Sequence, residues 1–69
     1  MKNRLEELRN LNHWTQQELA DRVLVSRQTI ISLESGRYNP SILLAFRLAH
    51  LFNVKLEDLF LYSEEDQNG

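Results

Sequence analysis

The chain has 69 residues, no cysteine and a formal net charge of −2, which limits it to one small domain without disulfides or thiolate metal sites. A domain this short buries only about 60% of the surface its unfolded chain exposes, so association with another chain is the reinforcement left open to it. MKNRLEEL at the start is charged and gives no signal peptide, and the most apolar run, Ile42 to Phe52, is too short to cross a bilayer, so a soluble, cytoplasmic product is expected.

In chain order, Met1 to about Asn10 reads as a first helix, with Leu5, Leu8 and Leu11 at helical spacing and Arg4, Glu6 and Glu7 outward. Asn12-His13 breaks it. Thr15 stands as an N-cap with Glu18 three residues on, a capping box that starts a second helix whose inner face is Leu19, Ala20 and Val23. Leu24-Val25 forms a turn, and Ser26 caps a third helix with Ile30 and Leu33 as its buried stripe. Gly36 is placed to end that helix in a left-handed conformation. Arg37 to Pro40 is a loop, and Pro40 keeps the helix from resuming. Ser41 caps a fourth helix that runs to about Phe52, with Asn53 as its left-handed terminator. A short fifth helix, Leu56 to Leu61, precedes the polar tail. No stretch reads as a strand, and the expected class is all-α, a compact bundle of five short helices.

Two units are expected, a folded domain over residues 1–62 and an acidic, disordered tail over residues 63–69. The eight Lys/Arg all lie in the first unit with seven of the ten Asp/Glu, while Glu64, Glu65 and Asp66 occupy the tail alone. Charge therefore neither favours nor excludes a nucleic-acid partner.

The fourth helix is apolar almost all round, with only Arg47 and His50 polar between Ile42 and Phe52. So small a bundle has too few neighbours to bury such a helix on every side. Leu43, Phe46, Leu56, Leu59, Phe60 and Leu61 are accordingly expected at a two-fold homodimer interface.

The stretch QQELADRVLVSRQTIISLES, Gln16 to Ser35, carries the functional signal. Two helices meeting steeply across a short turn need a small residue where their backbones approach, and apolar residues facing a supporting helix. Ala20 is the small residue; Leu19, Val23, Val25, Ile30 and Leu33 are the apolar set. The outer side of the third helix offers Arg27, Gln28 and Ser32, with Ile31 beside them. In a major groove Arg can pair bidentately with guanine, Gln with adenine, and an aliphatic group can touch a thymine methyl.

ELADRVLVSRQTIISLESGRYNPS resembles the Cro/C1-type (XRE) helix-turn-helix family, above all its small stand-alone regulators, which carry VSRQTI followed by an E-x-G-[KR]-Y-N-P-S loop. Here that loop is Glu34, Gly36, Arg37, Tyr38, Asn39, Pro40 and Ser41. The resemblance spans about Lys2 to Phe60. It implies a lambda-repressor-like bundle of five helices that binds a palindromic operator in double-stranded DNA as a homodimer and represses transcription. It further implies base reading by Arg27, Gln28, Ile31 and Ser32. DNA-backbone contacts are implied for Gln16, Gln17 and Thr29 and for the loop Arg37, Tyr38 and Asn39. A buried structural ion pair is implied between Arg9 and Glu34.

The chain departs from the family where His13 and Leu24 replace glycines, so strain or an altered turn is expected at Leu24. It departs again at Lys55, which supplies no cap to the fifth helix. A protein-interaction module, such as the antitoxin-like partner of another protein, is the alternative function. No cofactor, metal site, catalytic set or effector site is indicated: His13 and His50 lack companions, and no Gly-rich phosphate loop or Ser/His/Asp set is present. An enzyme is not expected.

Overall fold

The computed structural model describes residues 2–61. Five helices fold around one core: α1 (Leu5–Leu11), α2 (Gln16–Val23), α3 (Arg27–Glu34), α4 (Ile42–Phe52) and α5 (Leu56–Leu59). Two-residue strands flank them. β1 (Lys2–Asn3) pairs antiparallel with β2 (Phe60–Leu61), placing Lys2 opposite Leu61 and Asn3 opposite Phe60. The fold is helical as expected, but both ends of the helical reading are corrected. Residues 2–3 leave the first helix and residues 60–61 leave the fifth.

Asn3 explains the first correction. Its Oδ1 accepts from the Leu5 backbone N–H at 3.0 Å, satisfying a donor of the first turn, while its Nδ2 donates to the Leu33 carbonyl at 2.7 Å. The residue, one before the Arg4 cap, thus holds the first turn of α1 and ties it to the far end of α3. Lys55 explains the second: it makes no side-chain cap bond to α5, which lasts one turn before Phe60 turns extended at φ −109°. The Arg4 backbone N–H, donating to the Leu59 carbonyl at 2.9 Å, closes the ribbon against that turn.

Three helix starts follow local chemistry. Thr15 Oγ1 accepts from the Glu18 N–H at 3.1 Å and the Glu18 carboxylate accepts from the Thr15 N–H at 3.0 Å, a complete capping box. Ser26 and Ser41 cap α3 and α4 through the N–H groups of Thr29 and Leu44, each at 3.2 Å. Three helix ends share another device. The N–H groups of Trp14, Val25 and Val54 reach back five residues to the carbonyls of Arg9, Ala20 and Ala49. That closure needs the preceding residue left-handed, and His13 (φ 58°), Leu24 (φ 62°) and Asn53 (φ 55°) are. Asn accepts this readily; a left-handed His or Leu costs roughly 1–2 kcal/mol relative to glycine. The turn between α2 and α3 is therefore closed through a left-handed residue, a place suited to glycine, with the cost carried by Leu24. Gly36 is left-handed as well, at φ 79°, just beyond α3.

The core is made of Leu5, Leu8, Leu19, Ala20, Val23, Ile30, Leu33, Leu44, Ala45, Leu48, Ala49, Leu59 and Phe60. At about 25 cal/mol per Å² of apolar surface, this burial is what holds the short helices together. Ala20 sits fully buried on α2, and α2 and α3 are the two helices in most extensive contact. Leu11 is corrected: at 68% exposure it lies off the inner stripe. Leu59 is corrected too. It lies fully buried in the chain's own core at the end of α5, so it has no surface to give a partner, whereas Phe60, paired with Asn3 and mostly buried, still shows an edge at 9% exposure.

The remaining apolar side chains of α4 face outward. Ile42, Leu43 and Phe46 are 77%, 60% and 57% exposed. Among the described residues no helix is long and apolar enough to cross a membrane. The tail over residues 63–69 lies outside the described residues.

Candidate nucleic-acid interface

Ser26 sets where the candidate reading helix begins. Its hydroxyl takes the Thr29 N–H and also lies 2.9 Å from the Thr29 hydroxyl, so Thr29 is engaged with the cap at the start of α3. Arg27 and Gln28 then fall on the first turn of α3 and are exposed, while Ile31 and Ser32 are half-buried one turn on. With Ile30 and Leu33 fixed in the core, the helical period leaves the other side of α3 facing out.

Two open recesses border that side. One is lined by Arg9, Thr15, Gln16, Gln17 and Arg27, so the first turn of α2 and the first residue of α3 share a concave surface. The other is lined by Ser26, Gln28, Thr29, Ser32 and Tyr38, which brings the loop after α3 beside two of the base-reading candidates. Gln16, Gln17, Arg27, Gln28, Thr29, Ser32 and Tyr38 are thus gathered along one strip of the molecule. Arg37 and Asn39 are exposed in the same loop. The Arg37 N–H donates to Ser35 Oγ at 3.4 Å, and Ser35 Oγ in turn donates to the Ser32 carbonyl at 2.8 Å, which ties the loop to the end of α3.

The strip is anchored by one carboxylate. Glu34 Oε2 accepts from Arg9 Nε at 2.7 Å, and its Oε1 accepts from Arg9 Nη2 at 3.2 Å and from Gln16 Nε2 at 3.1 Å. Arg9 Nη1 also donates to the Trp14 carbonyl at 2.9 Å, just before α2 begins. The side chains are 12% and 5% exposed, so the pair is shielded from water. The Glu34 hydrogen bond, ahead of the opposing cost of burial, raises the Arg9 guanidinium above its ordinary pKa. A raised Arg pKa gives a contribution that is present at neutral pH and, on the alkaline side, is lost only as pH rises through the folded value.

Two polar side chains act in ways their sequence positions did not announce. Gln16 spends one amide N–H on Glu34 and keeps a second, so its carboxamide is held still at the N-terminus of α2. Gln17 donates to Asp21 Oδ1 at 2.9 Å along α2. The Gln16–Glu34 bond joins residues 18 apart on helices whose approach only the folded chain defines. Asn3 and Ile42 were also missed: Asn3 for the same reason, Ile42 because a residue directly after a cap has no periodic signature.

Away from the strip, Ile42 and Phe46 line an apolar groove with Asn39, Pro40, Ala45, Leu56, Glu57 and Phe60. Leu61 is 41% exposed at the chain's last described position. The groove begins at Asn39 and Pro40, so it adjoins the loop that follows α3.

Known proteins share the sequence pattern and the fold. A helix-turn-helix family model matches residues 5–59. An HTH-type transcriptional regulator of Methanocaldococcus jannaschii is 50% identical over 66 residues, covering 96% of this chain and all of that protein. The competence pilus inhibition repressor of Acinetobacter baylyi is 41% identical over 63 residues, 88% of this chain and 56% of the relative. Among solved structures, the restriction-modification controller protein C.AhdI from Aeromonas hydrophila superposes with a TM-score of 0.73 at 30% identity, over 83% of this chain and 86% of that one. The chain therefore belongs to the Cro/C1-type (XRE) helix-turn-helix family of DNA-binding transcriptional regulators, whose members are not enzymes.

Proposed function

We propose that the protein is a cytoplasmic repressor that binds a palindromic operator as a homodimer, laying α3 in the major groove. The observation that carries this reading is the single strip on which α3's exposed first turn lies between the start of α2 and the Arg37–Asn39 loop. Side chains near the start of a recognition helix reach base edges, and flanking N–H groups and cations hold the phosphates. Arg27 and Gln28 are then the principal base readers, with Ile31 available to a thymine methyl and Ser32 to either base type. Gln16 and Gln17 at the α2 N-terminus, with Thr29, Arg37, Tyr38 and Asn39, take the DNA backbone.

The repressor assignment draws on the name of the Acinetobacter relative. The homodimer draws on the groove and on the exposed Ile42, Leu43 and Phe46, with Leu56 and Leu61 at its margin. Residues 1–62 form the DNA-binding unit, and no small-molecule effector is implied. The same apolar groove also suits a different protein, as in an antitoxin-like pair; such a partner would compete with dimer formation.

Arg27→Ala tests the reading helix. Competition between an operator and its single-base variants should show specific affinity lost, with about 1–3 kcal/mol of discrimination gone at one base position. Equal weakening on every sequence would make Arg27 a phosphate contact and remove it from the reading set.

A further inference from the structure

Arg4 is paired with Glu7 and Arg9 with Glu34, and Arg27 and Arg37 belong to the strip around α3. Arg22 and Arg47 lie elsewhere. With Val23, Leu24, His50 and Leu51 they line an open recess of about 250 Å³ between α2 and α4. No carboxylate is among these six residues, and among the described residues none of Arg22, Arg47 and His50 is in an ion pair. The acids of α2 are engaged along their own helix: Glu18 accepts from the Thr15 N–H and Asp21 from Gln17.

Two leucines share the recess with these cations. Closure of the turn after α2 sets the Leu24 backbone but asks nothing of its side chain, which is 77% exposed. Leu51 lines the same recess half-buried. A lone exposed leucine is ordinary on a protein surface; a leucine among cations offers apolar burial and charge at one place. The Arg22 guanidinium carbon stands 4.2 Å from the centre of the Trp14 ring, which packs against Phe52 at 5.7 Å. That cation is therefore held in place. The recess shares no residue with the two that border α3, nor with the apolar groove of α4.

We propose that this recess docks an acidic segment of a different protein, one that carries carboxylates on either side of a large apolar side chain. The carboxylates pair with the guanidinium groups of Arg22 and Arg47, which suit them geometrically, with His50 alongside. The apolar side chain covers Leu24 and Leu51. A nucleic-acid phosphate would satisfy the cations but leave both leucines in water, so the pairing of charge with apolar surface favours a protein segment. A second copy offers no such segment among the described residues. Its acids adjoin leucines at Leu5–Leu8, Glu18–Asp21, Leu33–Glu34 and Leu56–Leu59, and every one of those leucines lies in or against its own core. The docking does not depend on the DNA-reading proposal.

The test selects binders to the full chain from a displayed library of random linear peptides, with counter-selection on Leu24→Gly/Arg47→Gln. Both positions are exposed, and glycine suits the left-handed backbone at residue 24, so the variant keeps its fold. Enriched peptides should combine Asp or Glu with Leu, Ile, Phe or Met. Added to the isotope-labelled wild type, they should move the amide signals of Arg22 to Leu24 and of Arg47 to Leu51, leaving those of Arg27 and Arg37 in place. Leu24→Gly alone should weaken a selected peptide roughly tenfold, through the lost apolar contact. Enrichment of no peptide, or of neutral or basic ones, would overturn the proposal. Shifts spread equally over Arg27 and Arg37 would do so too, by showing attraction to cations in general. A random-sequence duplex that displaces the peptide would make the recess a phosphate contact, and recess signals that move on diluting the protein alone would give it to a second copy; either result overturns a different protein as occupant.

Discussion

One carboxylate, that of Glu34, receives Arg9 from α1 and Gln16 from α2 while closing α3, so a single substitution there acts on three helices. Removing one partner of a shielded pair leaves the other charge buried and uncompensated, which costs about 3–5 kcal/mol. Glu34→Ala should therefore lower stability by about that much, read from the urea midpoint at unchanged slope. A loss under about 1 kcal/mol would class the pair with solvent-screened surface bridges. Arg37 is the contrasting case, an exposed cation in a loop whose role is proposed to be purely electrostatic. Arg37→Ala should weaken binding evenly across sequences and reduce the slope of log K against log salt by about one unit. A changed sequence preference would contradict that assignment.

At the scale of the element, α2 depends on its first turn. The Glu18 carboxyl is held below the ordinary glutamate range, first by the Thr15 backbone N–H, next by the Thr15 side chain and last by Arg22, with desolvation opposing. A lowered carboxyl pKa gives stability that is present above the unfolded value and lost as pH falls through the folded one. Thr15→Ala should cost about 1 kcal/mol at neutral pH, and Glu18→Gln should flatten the acid limb of the stability curve, both measured by chemical denaturation. An acid limb unchanged in Glu18→Gln would show that the box contributes nothing. Caps of this kind were legible in the sequence because the chemistry closes within three residues, as at Thr15, Ser26 and Ser41. Leu24 was legible as a site of strain for a similar reason, since its backbone angle is set by the turn around it. The β1–β2 ribbon was not: it joins residues almost sixty positions apart, and two residues carry no alternation to read. Leu59 was misassigned for that reason. Its apolar character was plain, but which apolar surface it would meet depended on the ribbon. The strip around α3 was visible as a set of residue types, whereas the Glu34 bond that fixes Gln16 was not.

For the whole molecule, the exposed Ile42, Leu43 and Phe46 on a chain of 69 residues make association the expected completion of the fold. Sedimentation at micromolar concentration should give a dimer for the wild type and a monomer for Phe46→Glu, which introduces an unpaired charge into the apolar face. A wild-type monomer would remove α4 from the interface. The central claim, that two copies present paired reading helices to DNA, is tested most directly by selecting bound sequences from a random duplex pool with the wild-type protein. The account predicts an inverted repeat whose half-sites are centred about one helical turn apart, roughly 34–36 Å. Enrichment of a single unrepeated half-site, or of no sequence at all, would contradict it.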